Sequence, residues 1–188
     1  MKKLLRGILL VVATSLLLAC AATNNAKTGK ASVASETVAG KSFFYEVHHD
    51  GRIHVFDDSK TYLSFLQLGE TSYRLTRIGA GPAGETVVFG LTKKDKKKRS
   101  GIKSIDMYDG QLKPLAEFYG EMLLHNRFYV FNSWNDMQEV KKIGEAAYRY
   151  TQIGAGPKGE TVIFVLNKSN KKKKPVDLMA EFKKIHAH

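Results

Sequence analysis

Residues 43–98 recur without a gap as residues 118–173, and 25 of the 56 aligned positions are identical at that offset of 75. The match is densest where YRLTRIGAGPAGETVVFGLTKKDKKK becomes YRYTQIGAGPKGETVIFVLNKSNKKKK. A gapless internal period of this length marks one supersecondary unit used twice. A unit of 56 residues buries too little surface to be robust by itself. The two copies are therefore expected to share one core, with two separate domains joined by residues 99–117 as the alternative.

Within the first copy, KSFFYEV alternates and ends at HHDGR, where Asp50-Gly51 suits a tight turn with positive φ, and RIHVF pairs back. Asp57, Asp58 and Ser59 offer caps to a helix whose apolar residues are Tyr62, Leu63, Phe65, Leu66 and Leu68, and Gly69 is placed to end it. SYRLTRI and TVVFGLT then form a second hairpin across GAGPAGE. The second copy repeats the order through FYGEMLL, NRFYVF, a helix from about Ser133 to Ile143, AYRYTQI and TVIFVLN, with His125-Asn126 at its first turn. Val87, Phe89 and Leu91 reappear as Val162, Phe164 and Leu166, so each copy has a matching apolar face.

These patterns predict an α+β fold: a tandem duplication of a strand-strand-helix-strand-strand unit, forming a mainly antiparallel sheet with helices on one face and a pseudo-twofold relating the copies. The second copy is followed by an amphipathic helix with Leu178, Phe182 and Ile185 at helical spacing after Pro175 and Asp177. The expected organisation is a signal segment (1–19), a tether (20–40), unit 1 (41–99), a linker (100–117), unit 2 (118–174) and the C-terminal helix (175–188).

The start of the chain sets the compartment. Lys2, Lys3 and Arg6 precede an apolar run from Ile8 to Leu18, which is the layout of a secretory signal and too short to span a bilayer comfortably. Cys20, the only cysteine, follows in LLLAC. This resembles the lipobox of bacterial lipoproteins through Leu17, Ala19 and Cys20, while Leu18 stands where that class has a smaller residue. The resemblance implies cleavage before Cys20, covalent lipid including palmitate on it, and, with Ala21 next, sorting to the outer membrane facing the periplasm. Cleavage would leave 169 residues and lower the net charge from +12 to +9. With Cys20 modified no thiol remains for disulfides, thiolate metal sites or nucleophilic catalysis. The following AATNNAKTGKASVASETVAG lacks aromatic residues and apolar periodicity, as a flexible tether does.

Candidate sites follow from the residues that remain. Lys93, Lys94, Lys96, Lys97, Lys98 and Arg99 leave the last strand of unit 1, and Lys168, Lys171, Lys172, Lys173 and Lys174 leave the equivalent strand of unit 2. Flexible ammonium groups in runs suit sequence-independent attraction to anionic lipid, lipopolysaccharide or acidic glycan, and nucleic acid is not an expected partner in that compartment. GAGPAG and GAGPKG satisfy the G-x-G-x-x-G pattern, but β-branched strands follow them instead of the helix that supports a pyrophosphate, so they read as turns. His48 and His54 are weak metal candidates, as a pair on one side of the first hairpin with Met107, Met122 and Met137 as soft donors for copper, but Leu123 and Tyr129 replace both histidines in the second copy, so the expectation is scattered surface histidines and no metal site. Five polar identities, Glu46/Glu121, Arg52/Arg127, Glu70/Glu145, Arg74/Arg149 and Glu85/Glu160, are expected either to fix strand register or to line a groove.

HHDGRIHVFDDSKTYLSFL and HNRFYVFNSWNDMQEV are similar to the tandem β-β-α-β units of NosL-type copper lipoproteins and, more distantly, to YHS domains, whose metal-binding cysteines are absent here. That resemblance implies periplasmic copper handling as an alternative. No motif for catalysis, cofactor binding or a structural metal stands out. The expectation is a non-enzymatic lipoprotein of the envelope, with no cofactor beyond its lipid, that binds or scaffolds at the membrane or cell-wall surface.

Overall fold

The computed structural model describes residues 40–187. The expected signal segment, Cys20 and all but the last residue of the tether lie outside the described residues, as does His188. Eight strands form one sheet: β1 (Ser42–His49), β2 (Arg52–Phe56), β3 (Arg74–Arg77), β4 (Thr86–Gly90), β5 (Phe118–Leu124), β6 (Arg127–Phe131), β7 (Tyr148–Gln152) and β8 (Thr161–Leu166). The helices are α1 (Ser59–Leu68), α2 (Lys103–Tyr108), α3 (Trp134–Ile143) and α4 (Val176–Ile185). None of the described helices is long and apolar enough to cross a membrane.

Local signals act where the chemistry requires them. Asp50 and Gly51 take φ of 50° and 67°, and His125 and Asn126 take 51° and 59°, which matches the twist of the strands they join. Asp58 accepts from the Thr61 amide at 2.8 Å and Ser133 from the Asp136 amide at 3.3 Å, each satisfying an orphan donor of a first helical turn. Gly69 and Gly144 end α1 and α3 in the left-handed conformation.

The strand order is β3-β4-β2-β1-β5-β6-β8-β7, a palindrome of the two units. Four pairings are antiparallel, β1–β2, β3–β4, β5–β6 and β7–β8. The three others are parallel, including the central β1–β5 pair that joins the units from Ser42↔Phe118 to Val47↔Leu123. A twofold axis perpendicular to a sheet would make its central strands antiparallel and keep both units' helices on one face. Parallel central strands require the axis to run in the sheet, along the strands, and such an axis exchanges the faces.

The core shows that exchange residue by residue. Phe44, Ile53, Val55, Val87 and Phe89 join one cluster, while their counterparts Tyr119, Phe128, Val130, Val162 and Phe164 join the other. Tyr62 and Phe65 of α1 pack with the second cluster, and Met137 and Val140 of α3 with the first. The expectation of helices on one face is thus corrected: α1 and α4 cover one side, α2 and α3 the other. Val87 and Val162 do not share a face, although each is apolar for the same local reason.

Two further corrections concern extent. The segment 100–117 contains α2, whose Ile105 and Met107 are buried with the first cluster. At the 75-residue offset the span of α2 falls within that of α4. Leu68, expected on the buried face of α1, is 71% exposed.

Candidate functional site

β1 begins at Ser42, and its residues near that start lie beside Phe56 and the C-terminal parts of β4 and β8, through the registers Tyr45↔Phe56 and Val55↔Phe89 and the equivalent Val130↔Phe164. The chain therefore enters the sheet at the same end at which both lysine runs leave it. The tight turns at Asp50-Gly51 and His125-Asn126 lie at the opposite end.

The runs are built turns with one shared backbone pattern. In the first, the amides of Asp95 and Lys96 donate to the Thr92 carbonyl and that of Lys98 to Asp95. In the second, Asn170, Lys171 and Lys173 repeat these bonds onto Asn167 and Asn170. Lys96 sits 4.4 Å from the Tyr73 ring centroid, and Lys171 lies 4.4 Å from that of Tyr148. Lys98 pairs with Asp95 at 2.7 Å, which holds the Asp95 carboxyl below its ordinary range against the opposing effect of burial. Lys93, Lys94, Lys97 and Arg99 in one run, and Lys168, Lys172, Lys173 and Lys174 in the other, are exposed, and Lys174 lies 5.7 Å from the Tyr150 ring centroid.

The histidines do not converge. Across the first hairpin Val47 faces His54 and His48 faces Ile53, so His48 and His54 point to opposite sides of the sheet. A two-residue turn at 50–51 pairs positions that sum to 101, and 48 and 54 miss by one, so the weak candidate pair is not brought together. Met107, Met122 and Met137 are buried in the core. Among the described residues no group of three or more His, Cys, Asp or Glu side chains is positioned to hold a metal ion.

His48 has a different partner, the fully buried Glu46, at 2.7 Å. Lys141 of α3 lies 2.6 Å from the other oxygen of that carboxylate. Burial by itself would raise the Glu46 carboxyl, but the His48 hydrogen bond and the Lys141 charge outweigh it and hold the group below its ordinary range. Its counterpart Glu121, equally buried on the opposite face, accepts from Tyr62 Oη at 2.7 Å and Tyr119 Oη at 2.5 Å and lies 2.9 Å from His186 Nε2. Burial, and then the Glu121 charge, pushes both tyrosines well above their usual range. The sequence signal for this pair was an identical carboxylate inside an apolar run in each copy; its partners, from α1, α3 and α4, were not legible.

Glu85 and Glu160 fold under their glycine loops. Glu85 accepts from the Ala83 amide and Glu160 from the Lys158 amide, both at 2.8 Å, and a Cβ on Gly81 or Gly156 would meet these carboxylates at 2.4 or 2.6 Å. Gly79, Gly84, Gly154 and Gly159 have positive φ. Close approach and backbone conformation account for the repeated glycines. At this end Ile78 and Ile153 are 90% and 89% exposed, at equivalent positions.

The remaining identities, Arg52, Glu70 and Arg74, line a cavity of about 550 Å³ on the α1 side of β2, β4 and β3, together with His54, Phe65, Gly69, Thr71, Thr76, Ile78, Thr86 and Val88. This groove lies inside the first unit, away from the junction of the copies. His54 packs against Phe65 with ring centroids 4.3 Å apart and the planes tilted by 31°. Burial, then the charges of His49, Arg52 and Arg74, lowers its imidazole to about 4. No protein-family model, curated protein or solved structure matches this chain.

Proposed function

We propose that this chain is a non-enzymatic, lipid-anchored protein of the bacterial envelope, a tandem duplication whose basic end sits on an anionic surface. One observation carries the reading: both lysine runs leave the sheet at the end where the chain from Cys20 enters it. An unstructured polypeptide of about 20 residues, the length from Cys20 to Gly40, has a root-mean-square reach of roughly 25 Å. Signal cleavage and acylation at Cys20 would place that entry point beside the outer membrane, in the periplasm. The runs would then face phospholipid headgroups, lipopolysaccharide phosphates or acidic glycan within a few Debye lengths, about 8 Å each at physiological salt.

The matching backbone bonds and the Tyr73 and Tyr148 contacts support this reading. They give the two runs matching backbone turns, from which the exposed lysines project at equivalent places. A lysine near an anionic membrane surface contributes about 1 kcal/mol, so several acting together give binding that salt weakens strongly. The soluble Cys20→Ser protein without residues 1–19 is expected to co-sediment with phosphatidylglycerol or lipopolysaccharide vesicles at low salt and to be released above about 0.5 M salt, beyond a Debye length of a few ångströms. Replacing Lys93, Lys94, Lys97, Lys168, Lys172 and Lys173 with Gln should abolish the binding. Salt-independent association, or association unchanged in the Gln variant, removes the electrostatic contact.

A further inference from the structure

We propose that the groove on the α1 side of β2, β4 and β3 binds a small hydroxylated organic anion, its acid group held by Arg52 and Arg74. The lining residues are retained more than the fold demands. Seven of the eleven recur at the same position in the second copy, and with Gly69 set aside as the left-handed end of α1 the remaining six include both arginines, Glu70 and two threonines. Retained turn glycines are explained by φ, and retained Glu46 and Glu121 by burial. Arg52, Arg74 and Thr76, exposed on an open strand face, have neither explanation.

The arginines of this unit differ in their partners. Arg77 faces the other side of β3 and is bound to Asp109 through both carboxylate oxygens, at 2.8 and 2.9 Å. Arg149, the counterpart of Arg74, lies 3.4 Å from Glu145. Among the described residues Arg52 and Arg74 have no carboxylate within ion-pair distance, so both guanidiniums are available to a ligand.

The register sets the geometry. Arg52 pairs with Thr86, His54 with Val88, Val88 with Thr76, and Gly90 with Arg74. The two arginines therefore stand two strands apart, about 10 Å, and four residues apart along the sheet, about 13 Å. Their long side chains bracket a floor formed by His54, Val88 and Thr76. Thr76 and Thr86 present hydroxyls, Phe65 supplies an apolar wall for a carbon skeleton, and Glu70 accepts from ligand hydroxyls. A volume of about 550 Å³ falls within the range of small-molecule sites. Phosphate esters and sugar acids share this chemistry.

His54 reports the occupant. The charged and titratable groups around it are His49, Asp50 and Arg52 on its hairpin, Arg74 on β3 and Glu70 beside the groove. Burial is the larger cause of the neutral imidazole and the positive charges add to it; an anion between the arginines offsets those charges and is expected to raise the midpoint.

The test is an NMR titration of the full-length chain in uncharged detergent, with the His54 ring signal assigned by its loss in H54Q. Glycerol 3-phosphate and glucuronate are added separately, and sodium chloride at equal ionic strength is the reference. The proposal expects one or both probes to saturate and to raise the His54 midpoint by at least half a unit over chloride. Response to glycerol 3-phosphate alone assigns a phosphate ligand, to glucuronate alone a carboxylate. In R52Q/R74Q the affinity should fall at least tenfold, while R127Q/R149Q in the second copy should leave it unchanged; R74Q alone serves if the double variant does not fold. No shift with either probe, or an equal response in R52Q/R74Q, overturns the proposal.

Discussion

Gly120 shows how one position records the exchange of faces. Its counterpart is Tyr45, buried against α1 with its ring centroid 4.3 Å from that of Tyr62, yet Gly120 lies on β5 under α3, where an added Cβ would meet Phe118 Cζ at 2.8 Å and Met137 Sδ at 2.9 Å. Gly120→Ala should therefore destabilise the protein by about 1–3 kcal/mol through overpacking, read from the denaturant midpoint. His54 gives a second prediction at this scale. Its folded pKa, about 4, lies below its unfolded value near 6.5, so the unfolded chain binds more protons between those limits and stability falls as pH drops from about 6.5 to about 4. His54→Tyr, the residue of the second copy, should flatten that window. Glu46 adds a separate loss at lower pH: its depressed carboxyl stabilises above an unfolded value near 4.3, and that contribution is lost as pH falls through the folded value.

The elements divide by how local their causes are. Turns at Asp50-Gly51 and His125-Asn126, the caps Asp58 and Ser133, and the ends Gly69 and Gly144 depend on neighbours within a few residues; the turns and ends were legible, while Asp58 was one of three cap candidates and Ser133 was read only as the approximate start of its helix. The helix α2 was not: six residues long, with no side-chain cap bond at Ile102, it is held by Ile105 and Met107 against β-strands distant in sequence. The helix α4 was legible from Leu178 and Phe182, but its work on Glu121 through His186 was not. Phe182 packs against Phe128 and Phe164 with ring centroids 5.6 and 6.0 Å apart. Phe182→Ala should cost about 3–5 kcal/mol, seen as a fall in the thermal midpoint, because α4 is the cover for that half of the second cluster.

At the scale of the whole molecule, alternation within each strand fixes which residues share a face, but not which face of one copy meets which face of the other. That choice belongs to the central β1–β5 pairing, a contact between segments about 75 residues apart. The same limit hid the candidate sites. Parity put His48 and His54 on opposite sides, and the Arg52–Arg74 groove exists because β4 pairs with β2, a strand not consecutive with it in sequence, which sets the predicted β3–β4 hairpin beside Arg52. The lysine runs were legible as composition, while their common end with Ser42 required the sheet.

That common end is the central claim, and it predicts an orientation. The lipidated chain can be placed in phosphatidylglycerol nanodiscs containing a paramagnetic lipid, and amide relaxation measured at the lysine runs and at Ile78 and Ile153. Strong, salt-sensitive broadening at 93–99 and 168–174, with the isoleucine tips unaffected, is the result expected. Broadening at the tips, or equal broadening at both ends, would contradict it.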